Sequence, residues 1–161
     1  MINYKINSFL KIIFFISLIS LSSALFIEYI LGHQPCNLCL IERIPYGLSI
    51  MIIMAIFLIR KNQKFLVMLL ILTFIFSFAI SFYHFGIEQG FFQESSVCGV
   101  KSSTEIVTKE DLLKQLSEKT ISCKDVTFRI FGLSLTSINI VISILFIITL
   151  LKIFKKYEKN K

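Results

Sequence analysis

The sequence predicts an all-α membrane protein, built as an antiparallel four-helix transmembrane bundle. Hydrophobic residues make up 55% of the 161 residues and the mean hydropathy is +0.79, both too high for a soluble domain of ordinary composition. The excess lies in four apolar runs, each long enough for a helix to cross a hydrocarbon core of about 30 Å. The runs are Phe9–Tyr29, Leu40–Ile59, Phe65–Phe85 and Leu133–Leu151. We therefore expect one four-span membrane domain over residues 1–161.

The positions of the basic residues indicate how the chain is oriented. The net charge is +7, and its basic excess lies before the first run, between the second and third runs, and after the fourth. These residues are Lys5, Arg60, Lys61, Lys64, Lys152, Lys155, Lys156, Lys159 and Lys161. Under the positive-inside rule they place both termini in the cytoplasm. Segment 86–132, with six basic and seven acidic residues, lacks this bias. The charge is thus a topology signal, and no nucleic-acid partner is expected.

The first run, Phe9–Tyr29, is predicted to be a membrane span although it resembles a secretory signal. Ser22-Ser23-Ala24 has the small residues of a cleavage site, but the apolar stretch is long for a signal and three more spans follow. Within this run Lys11 can extend toward the cytoplasmic surface, and Glu28 lies near the outer one. We expect the helix to be retained.

The second run follows a Cys-X-X-Cys pair, Cys36 and Cys39. A helix that began only at Pro45 would be too short to span, so we expect it to begin near residues 38–40 and to carry Pro45 as an internal kink. Both cysteines then lie at a helix N-terminus, where unpaired N–H groups and the helix dipole favour a thiolate. Arg43, one turn after Cys39, adds a fixed positive charge.

The third run, Phe65–Phe85, follows a tight connection and is expected to pack antiparallel against the second. Its last residues form an aromatic belt that includes His84, at the depth expected for the cysteine pair. A cation is unfavourable at a helix N-terminus, so Arg43 needs a partner, either a polar ligand or Glu42. We expect Arg43 and His84 to line one polar pocket.

The two external loops, about residues 30–39 and 86–132, contain all four cysteines. Outside a bacterial inner membrane lies the oxidising periplasm, where disulfides persist, so we expect a multi-pass inner-membrane protein with periplasmic cysteines. The long periplasmic loop has a capping-box pattern followed by leucines at helical spacing, which predicts a short amphipathic helix at about 109–119. Its packing on the membrane, on a partner or on the loop stays open.

Three kinds of site could use the four cysteines. Four zinc ligands are disfavoured because Cys98 and Cys123 are 25 positions apart with no flanking histidine cluster, and no metal is expected. A structural disulfide stays open for Cys98–Cys123. It is a weak explanation for Cys36–Cys39, because a bridge across two residues closes almost no loop and stabilises little. A redox-active pair explains Cys36 and Cys39 better.

Several of these residues together resemble the disulfide bond formation protein B family. The shared features are the stretch PCNLCLIER at residues 35–43, the stretch YHFGIE at 83–88, and a long loop with Cys98 and Cys123 before the fourth span. The resemblance extends over the whole chain. It implies a membrane enzyme that reoxidises a periplasmic thioredoxin-like thiol oxidase and passes the electrons to a membrane quinone, either ubiquinone or menaquinone.

The resemblance also implies roles for the catalytic cysteines. Cys98 would be attacked by the thiolate of the partner oxidase to give a mixed disulfide. Cys123 would then be free to attack Cys36 and to shift the oxidising equivalent to the inner pair. Cys39 would be the thiolate that faces the quinone.

For quinone binding, the resemblance implies three further residues. Arg43 would stabilise the Cys39 thiolate and the quinone oxygen, His84 would lie near the same headgroup, and Glu88 would lie beside it. Two alternatives remain. A membrane thiol reductase of the vitamin K epoxide reductase type also combines four helices with Cys-X-X-Cys, but usually places that motif late in the bundle. A non-enzymatic four-span scaffold would use disulfides only to staple its outer loop.

Overall fold

The computed structural model describes residues 4–59, 62–93, 98, 123, 129–130 and 133–159, and in these residues it contains four long helices and two short strands. The helices are α1 (Tyr4–Tyr29), α2 (Asn37–Leu58), α3 (Gln63–Glu88) and α4 (Leu135–Lys159), and the strands are β1 (Arg129–Ile130) and β2 (Leu133–Ser134). Each of these helices is long and apolar enough to cross a membrane. The predicted all-α four-helix membrane fold is confirmed. The predicted helix at 109–119 lies outside the described residues.

Two helix starts differ from the predicted ones in ways that affect the site. Helix α2 begins at Asn37 and contains Pro45, so Cys39 lies within its first turn and not in the preceding loop. Helix α4 begins at Leu135, two residues later than predicted, because the preceding residues pair with β1 in an antiparallel hairpin. Ser134 caps this helix, since its Oγ accepts a hydrogen bond from the Ser137 backbone N–H at 3.2 Å.

The helices pack in chain order, α1 on α2, α2 on α3 and α3 on α4, while α1 touches α4 at few positions. A fully buried apolar core fills the half of the bundle away from the cysteines, with Leu10, Ile53, Phe74 and Leu150 at its centre. Large apolar side chains also cover the outside of all four helices, as lipid contact requires. The weak α1–α4 contact leaves a cleft on one side of the bundle.

Polar contacts join the helices in the middle of the bundle, between the apolar core and the cysteines. Ser17 of α1 accepts a hydrogen bond from Ser49 of α2 at 3.1 Å, and Ser143 of α4 donates to Ser77 of α3 at 3.2 Å. Small hydroxyl residues allow close helix approach and hydrogen-bond across the interface within a bilayer. These contacts fix the rotation of each helix about its axis. The rotation in turn determines which polar side chains face the bundle interior near the cysteines.

The turn after α3 depends on a glycine. Gly90 has a φ of 78°, and the chain then turns back so that the N–H groups of Phe91 and Phe92 donate to the Gly86 carbonyl at 2.8 and 3.1 Å. The Phe92 ring stacks on Tyr83 with centroids 5.7 Å apart and lies directly over Gly86, where a Cβ would overlap it.

Gly86→Ala should therefore destabilise the protein, because the added methyl group displaces Phe92 from its stack on Tyr83. We expect a loss of about 1 kcal/mol, at the low end for overpacking since Phe92 is partly exposed and can move. Thermal unfolding in detergent measures the change. Gly47→Ala in α2 is the matched control, because a Cβ there meets nothing within 4 Å and alanine favours a helix. An equal or higher melting temperature for Gly86→Ala than for Gly47→Ala would contradict the packing argument.

Candidate functional site

The cysteine pair opens α2. Cys36 is the N-cap residue, with extended backbone at φ −71° and ψ 166°, and its Sγ accepts a hydrogen bond from the Cys39 backbone N–H at 3.3 Å. The two sulfur atoms lie 2.8 Å apart. Closing a disulfide of about 2.05 Å requires less than about 1 Å of relative movement. The pair can therefore open and close with almost no change in the backbone.

His84 of α3 lies directly behind this pair. It is 2% exposed, and its Nε2 is 3.6 Å from Cys36 Sγ. Its Nδ1 lies 2.8 Å from Glu42 Oε1, which is on α2, and 3.3 Å from the Thr136 hydroxyl, which is on α4. Three helices thus hold the imidazole in one orientation against the sulfur. The sequence analysis expected His84 at the same membrane depth as the cysteine pair, and in the structure His84 contacts Cys36 directly.

The surroundings of Cys36 favour its ionised form. The hydrogen bond from the Cys39 thiol lowers the pKa of Cys36 well below its ordinary value, and His84 and the Cys39 backbone N–H lower it further. Burial of Cys36, which is 6% exposed as a residue, acts in the opposite direction but does not outweigh these donors. A stabilised thiolate stabilises the reduced form, and this contribution makes the corresponding disulfide more oxidising.

The Cys36 thiolate should persist at pH values where an ordinary thiol is protonated. A free cysteine has a pKa of about 8.5 and is almost wholly protonated at pH 6. Because the pKa of Cys36 is lowered, the thiolate absorbance of the reduced protein at pH 6 should match that at pH 8 and should disappear in Cys36→Ser. His84→Gln removes one stabilising contact, so the absorbance should be lost at a higher pH. An absorbance that disappears between pH 9 and pH 7 in the unmodified protein would contradict this assignment.

The cysteines of the long loop, Cys98 and Cys123 (the outer pair), pack against Cys36 and Cys39 (the inner pair). Cys98 and Cys123 are 1% and 2% exposed and form one buried cluster with Cys36, Leu38 and Ile87. Burial, followed by the hydrogen bond with Cys98, raises the pKa of Cys123, whose thiol also contacts the Leu38 backbone in the first turn of α2. The structure therefore brings all four cysteines together at one end of the bundle.

Arg43 pairs with an acidic residue that the sequence analysis placed near the outer surface but did not assign to the site. Its Nη1 donates to Glu28 Oε2 near the end of α1, and both side chains are about one-fifth exposed. Sequence reasoning named Glu42, the adjacent residue, as the alternative partner. Glu42 points instead to His84, and its Oε2 accepts a hydrogen bond from Asn139 Nδ2 at 3.0 Å.

Glu88 lies one helical turn after His84. Its Oε1 accepts a hydrogen bond from the Thr136 hydroxyl at 2.7 Å and lies 3.9 Å from His84 Nε2. Asn139, one turn further along α4, also donates to Ser81 at 2.7 Å. No sequence pattern singles out Thr136 or Asn139, since single polar residues in an apolar run are common. Their place in the site follows only from the side chains that the fold brings next to them.

A cavity of about 300 Å³ lies between α1, α2 and α4, where α1 and α4 separate. Its polar end is formed by Cys39, Glu42, Arg43 and Asn139, and its other walls are mostly apolar. The apolar lining includes Ile19, Leu21, Ala24, Ile27, Leu135, Ile138 and Ile142. Neither His84 nor Glu88 lines the cavity; both lie behind Cys36 and Glu42. Cys39 is thus the inner cysteine on the cavity side, and Cys36 is the one on the side of the outer pair.

Comparison with known proteins identifies the family of this chain. The family model for disulfide bond formation protein DsbB matches residues 7–153. The chain belongs to the DsbB family. A relative from Rickettsia prowazekii strain Madrid E, named uncharacterized protein RP370, is 33% identical over 148 residues, which are 91% of this chain and 86% of the relative. The protein is therefore a multi-pass membrane oxidoreductase of disulfide bond formation.

The same cluster can be compared with the geometry of a metal site. Ligand atoms of Cys36, Cys39 and His84 lie within 4.8 Å of one another, which is close enough to consider a thiophilic ion. Two thiolates that share a tetrahedral zinc at about 2.3 Å are separated by about 3.8 Å. The separation of 2.8 Å found here is too short for that arrangement. The geometry therefore fits the thiol pair of a DsbB-family oxidoreductase better than a pair of zinc ligands.

Proposed function

We propose that this protein is a quinone-linked thiol oxidase of the bacterial inner membrane, which reoxidises a soluble periplasmic thiol oxidase. One observation carries the proposal, namely the position of the inner cysteine pair between two different environments. Cys36 is buried in the cluster with the outer cysteines and does not line the cavity, whereas Cys39 packs at the edge of that cluster and lines the cavity between the helices. A pair that only stapled a loop would have no need to connect these environments. A pair that passes electrons from the outer cysteines to a membrane acceptor requires both.

The size and the polarity of the cavity support a quinone as its ligand. Its volume of about 300 Å³ suits a ring-sized headgroup, and its apolar walls between α1 and α4 offer a path for an isoprenoid tail toward lipid. Arg43 would hold a headgroup oxygen from the polar end, whereas both N–H groups of Asn139 are already donated to Glu42 and Ser81. A bound quinone supplies an acceptor for two electrons and two protons. Ubiquinone and menaquinone both meet these requirements.

The cysteines then act in a defined order. The thiolate of a thioredoxin-like partner attacks Cys98 of the Cys98–Cys123 disulfide, and the freed Cys123 attacks Cys36. Supporting this order, Cys123 lies in the same cluster as Cys36, at the first turn of α2. In this order the buried Cys98 must become accessible when the partner docks, and the packing of the four cysteines supports the later exchange between the two pairs. Cys39 remains beside the cavity throughout.

The stabilised Cys36 thiolate also determines which acceptor can complete the cycle. A low thiol pKa makes the inner disulfide strongly oxidising, so its dithiol gives up electrons only to an acceptor of higher potential. Glutathione disulfide, at the potentials typical of cells, is a poor acceptor for such a pair. A membrane quinone meets the requirement, and the electrons therefore flow from partner to quinone.

Anaerobic mixing of the purified protein with quinone and a reduced thioredoxin-like oxidase tests this function. We expect one quinone to be reduced for each partner dithiol oxidised, followed by quinone absorbance and by alkylation of the partner thiols. A variant with all four cysteines changed to serine is the control and should leave both reactants unchanged. Quinone reduction without partner oxidation, or electron flow from quinol to the partner disulfide, would overturn the proposal and favour a reductase.

The proposed orientation can be tested in intact cells with an impermeant thiol reagent. We place both termini in the cytoplasm and all four cysteines toward the periplasm, in agreement with the basic residues before α1, between α2 and α3, and after α4. After reduction, the cysteines should react with the reagent from the periplasmic side only. If the cysteines react only after the inner membrane has been disrupted, they face the cytoplasm and the proposed topology is wrong.

A further inference from the structure

Glu42 connects the buried imidazole of His84 with the cavity. One carboxylate oxygen, Oε1, lies 2.8 Å from His84 Nδ1, and the other, Oε2, accepts a hydrogen bond from Asn139 at 3.0 Å. Glu42 and Asn139 line the cavity, while His84 does not. His84 in turn lies 3.6 Å from Cys36 Sγ. Hydrogen bonds through His84 and Glu42 therefore connect Cys36 with the cavity. This connection is separate from the direct contact of Cys36 with Cys39, which also lines the cavity.

The reaction needs such a route because protons must move as well as electrons. When Cys36 and Cys39 form their disulfide, two electrons leave the sulfurs, and a quinone acceptor also takes up two protons. Cys39 can bring its own proton to the cavity that it lines. A Cys36 thiolate carries none, so the second proton must be held elsewhere. The nearest described basic group is His84, whose Nε2 faces the sulfur.

We propose that His84 and Glu42 hold the proton given up by Cys36 and deliver it to the quinone in the cavity. The inference rests on the proposed function and assigns Glu42 as a proton carrier. In the balanced step, the Cys36 thiolate, the Cys39 thiol and the protonated His84–Glu42 pair become a disulfide and a deprotonated pair. The S–S bond forms, the Cys39 S–H bond breaks, and the quinone gains two electrons and two protons to become a quinol.

The groups around the pair are suited to a shared proton. His84 faces Cys36 and Glu42 of α2, lies 3.9 Å from Glu88 of its own helix, and contacts the neutral Thr136 hydroxyl of α4. The adjacent Arg43 is engaged with Glu28 of α1 and does not form an ion pair with Glu42 in this structure. Glu42 is therefore left to share its charge with His84, and a proton can move between the two over a single hydrogen bond.

Glu42→Gln tests the proposal because it keeps the size of the side chain but cannot carry a proton. In single-turnover quinone reduction by the pre-reduced protein, we expect a rate about 10²-fold lower. The rate should now rise as the pH falls, since the second proton must come from water, and the solvent deuterium isotope effect should change. Glu42→Asp, which retains a carboxylate, should restore part of the rate and the original pH profile. An unchanged rate, pH profile and isotope effect in Glu42→Gln would overturn the proposal.

A second measurement uses quinone-free protein and so does not depend on the acceptor. The infrared difference spectrum between the dithiol and disulfide states should contain a carboxyl band that shifts in D₂O and is absent in Glu42→Gln. If the variant does not fold, the lack of any such band in the unmodified protein overturns the proton route. If the band is present but no quinone is ever reduced, the proposed function fails while the coupling between Glu42 and the cysteines stands. If quinone reduction proceeds without the band, the function stands and the proton route fails.

Discussion

Cys36→Ser should convert the protein from a catalyst into an oxidant that reacts only once. The outer pair can still accept electrons from one partner dithiol, but Cys123 then has no inner disulfide to attack. We expect oxidation of one equivalent of partner, followed by turnover at the uncatalysed background rate. Cys36 occupies the N-cap of α2 within the outer cluster, so serine, which also caps helices well, should preserve the local fold. Rapid mixing with acid quench, alkylation and mass measurement gives the stoichiometry.

Cys39→Ser is the matched control for this result. It leaves Cys36 in the cluster but also removes the inner disulfide, so it should give the same single equivalent and the same loss of turnover. Sustained turnover in either variant would show that electrons bypass the inner pair and would overturn the proposed order of the cysteines. Absence of the first equivalent would show that Cys98–Cys123 is not the pair that meets the partner.

The membrane fold was predictable from the sequence because its determinants are local. Hydrophobic length alone fixes the spans, and the argument that Pro45 must lie inside a helix follows from the length that the bilayer demands. The structure confirms that helix α2 contains Pro45. The short hairpin before α4 was not foreseen, since two-residue strands leave no periodic pattern to detect.

The site was only partly predictable, because it depends on which helix faces meet. The motif and the expected membrane depth pointed to Cys36, Cys39, Arg43 and His84, and these residues do lie at one end of the bundle. They divide between two sides, however, so the expectation that Arg43 and His84 line one polar pocket is wrong. His84 lies behind the sulfur, whereas Arg43 lies in the cavity, and Glu42 joins the sides. That division follows from helix rotation, which the inter-helix hydroxyl contacts fix and a single sequence does not reveal.

Arg43→Met should slow quinone reduction by about 10²-fold to 10³-fold, the range found when one donor to a developing oxyanion is removed. Arg43 is a cationic residue that lines the cavity, and in the proposed function negative charge develops on the acceptor there. The initial equivalent of partner oxidation should be unchanged, because the outer cysteines do not depend on Arg43. Stopped-flow absorbance of the quinone, with the partner reaction followed separately by alkylation, distinguishes the two steps.

Two further variants separate the charge of Arg43 from its position. Arg43→Lys keeps the charge but loses the planar fork, so its rate should lie between those of Arg43→Met and the unmodified protein. Glu28→Gln leaves Arg43 charged but removes the carboxylate that orients it from α1. Its effect should appear chiefly as a higher KM for quinone, since the guanidinium must then be ordered when the headgroup binds. A loss of kcat in Glu28→Gln as large as in Arg43→Met would mean that the ion pair itself, rather than the cation, supports the reaction.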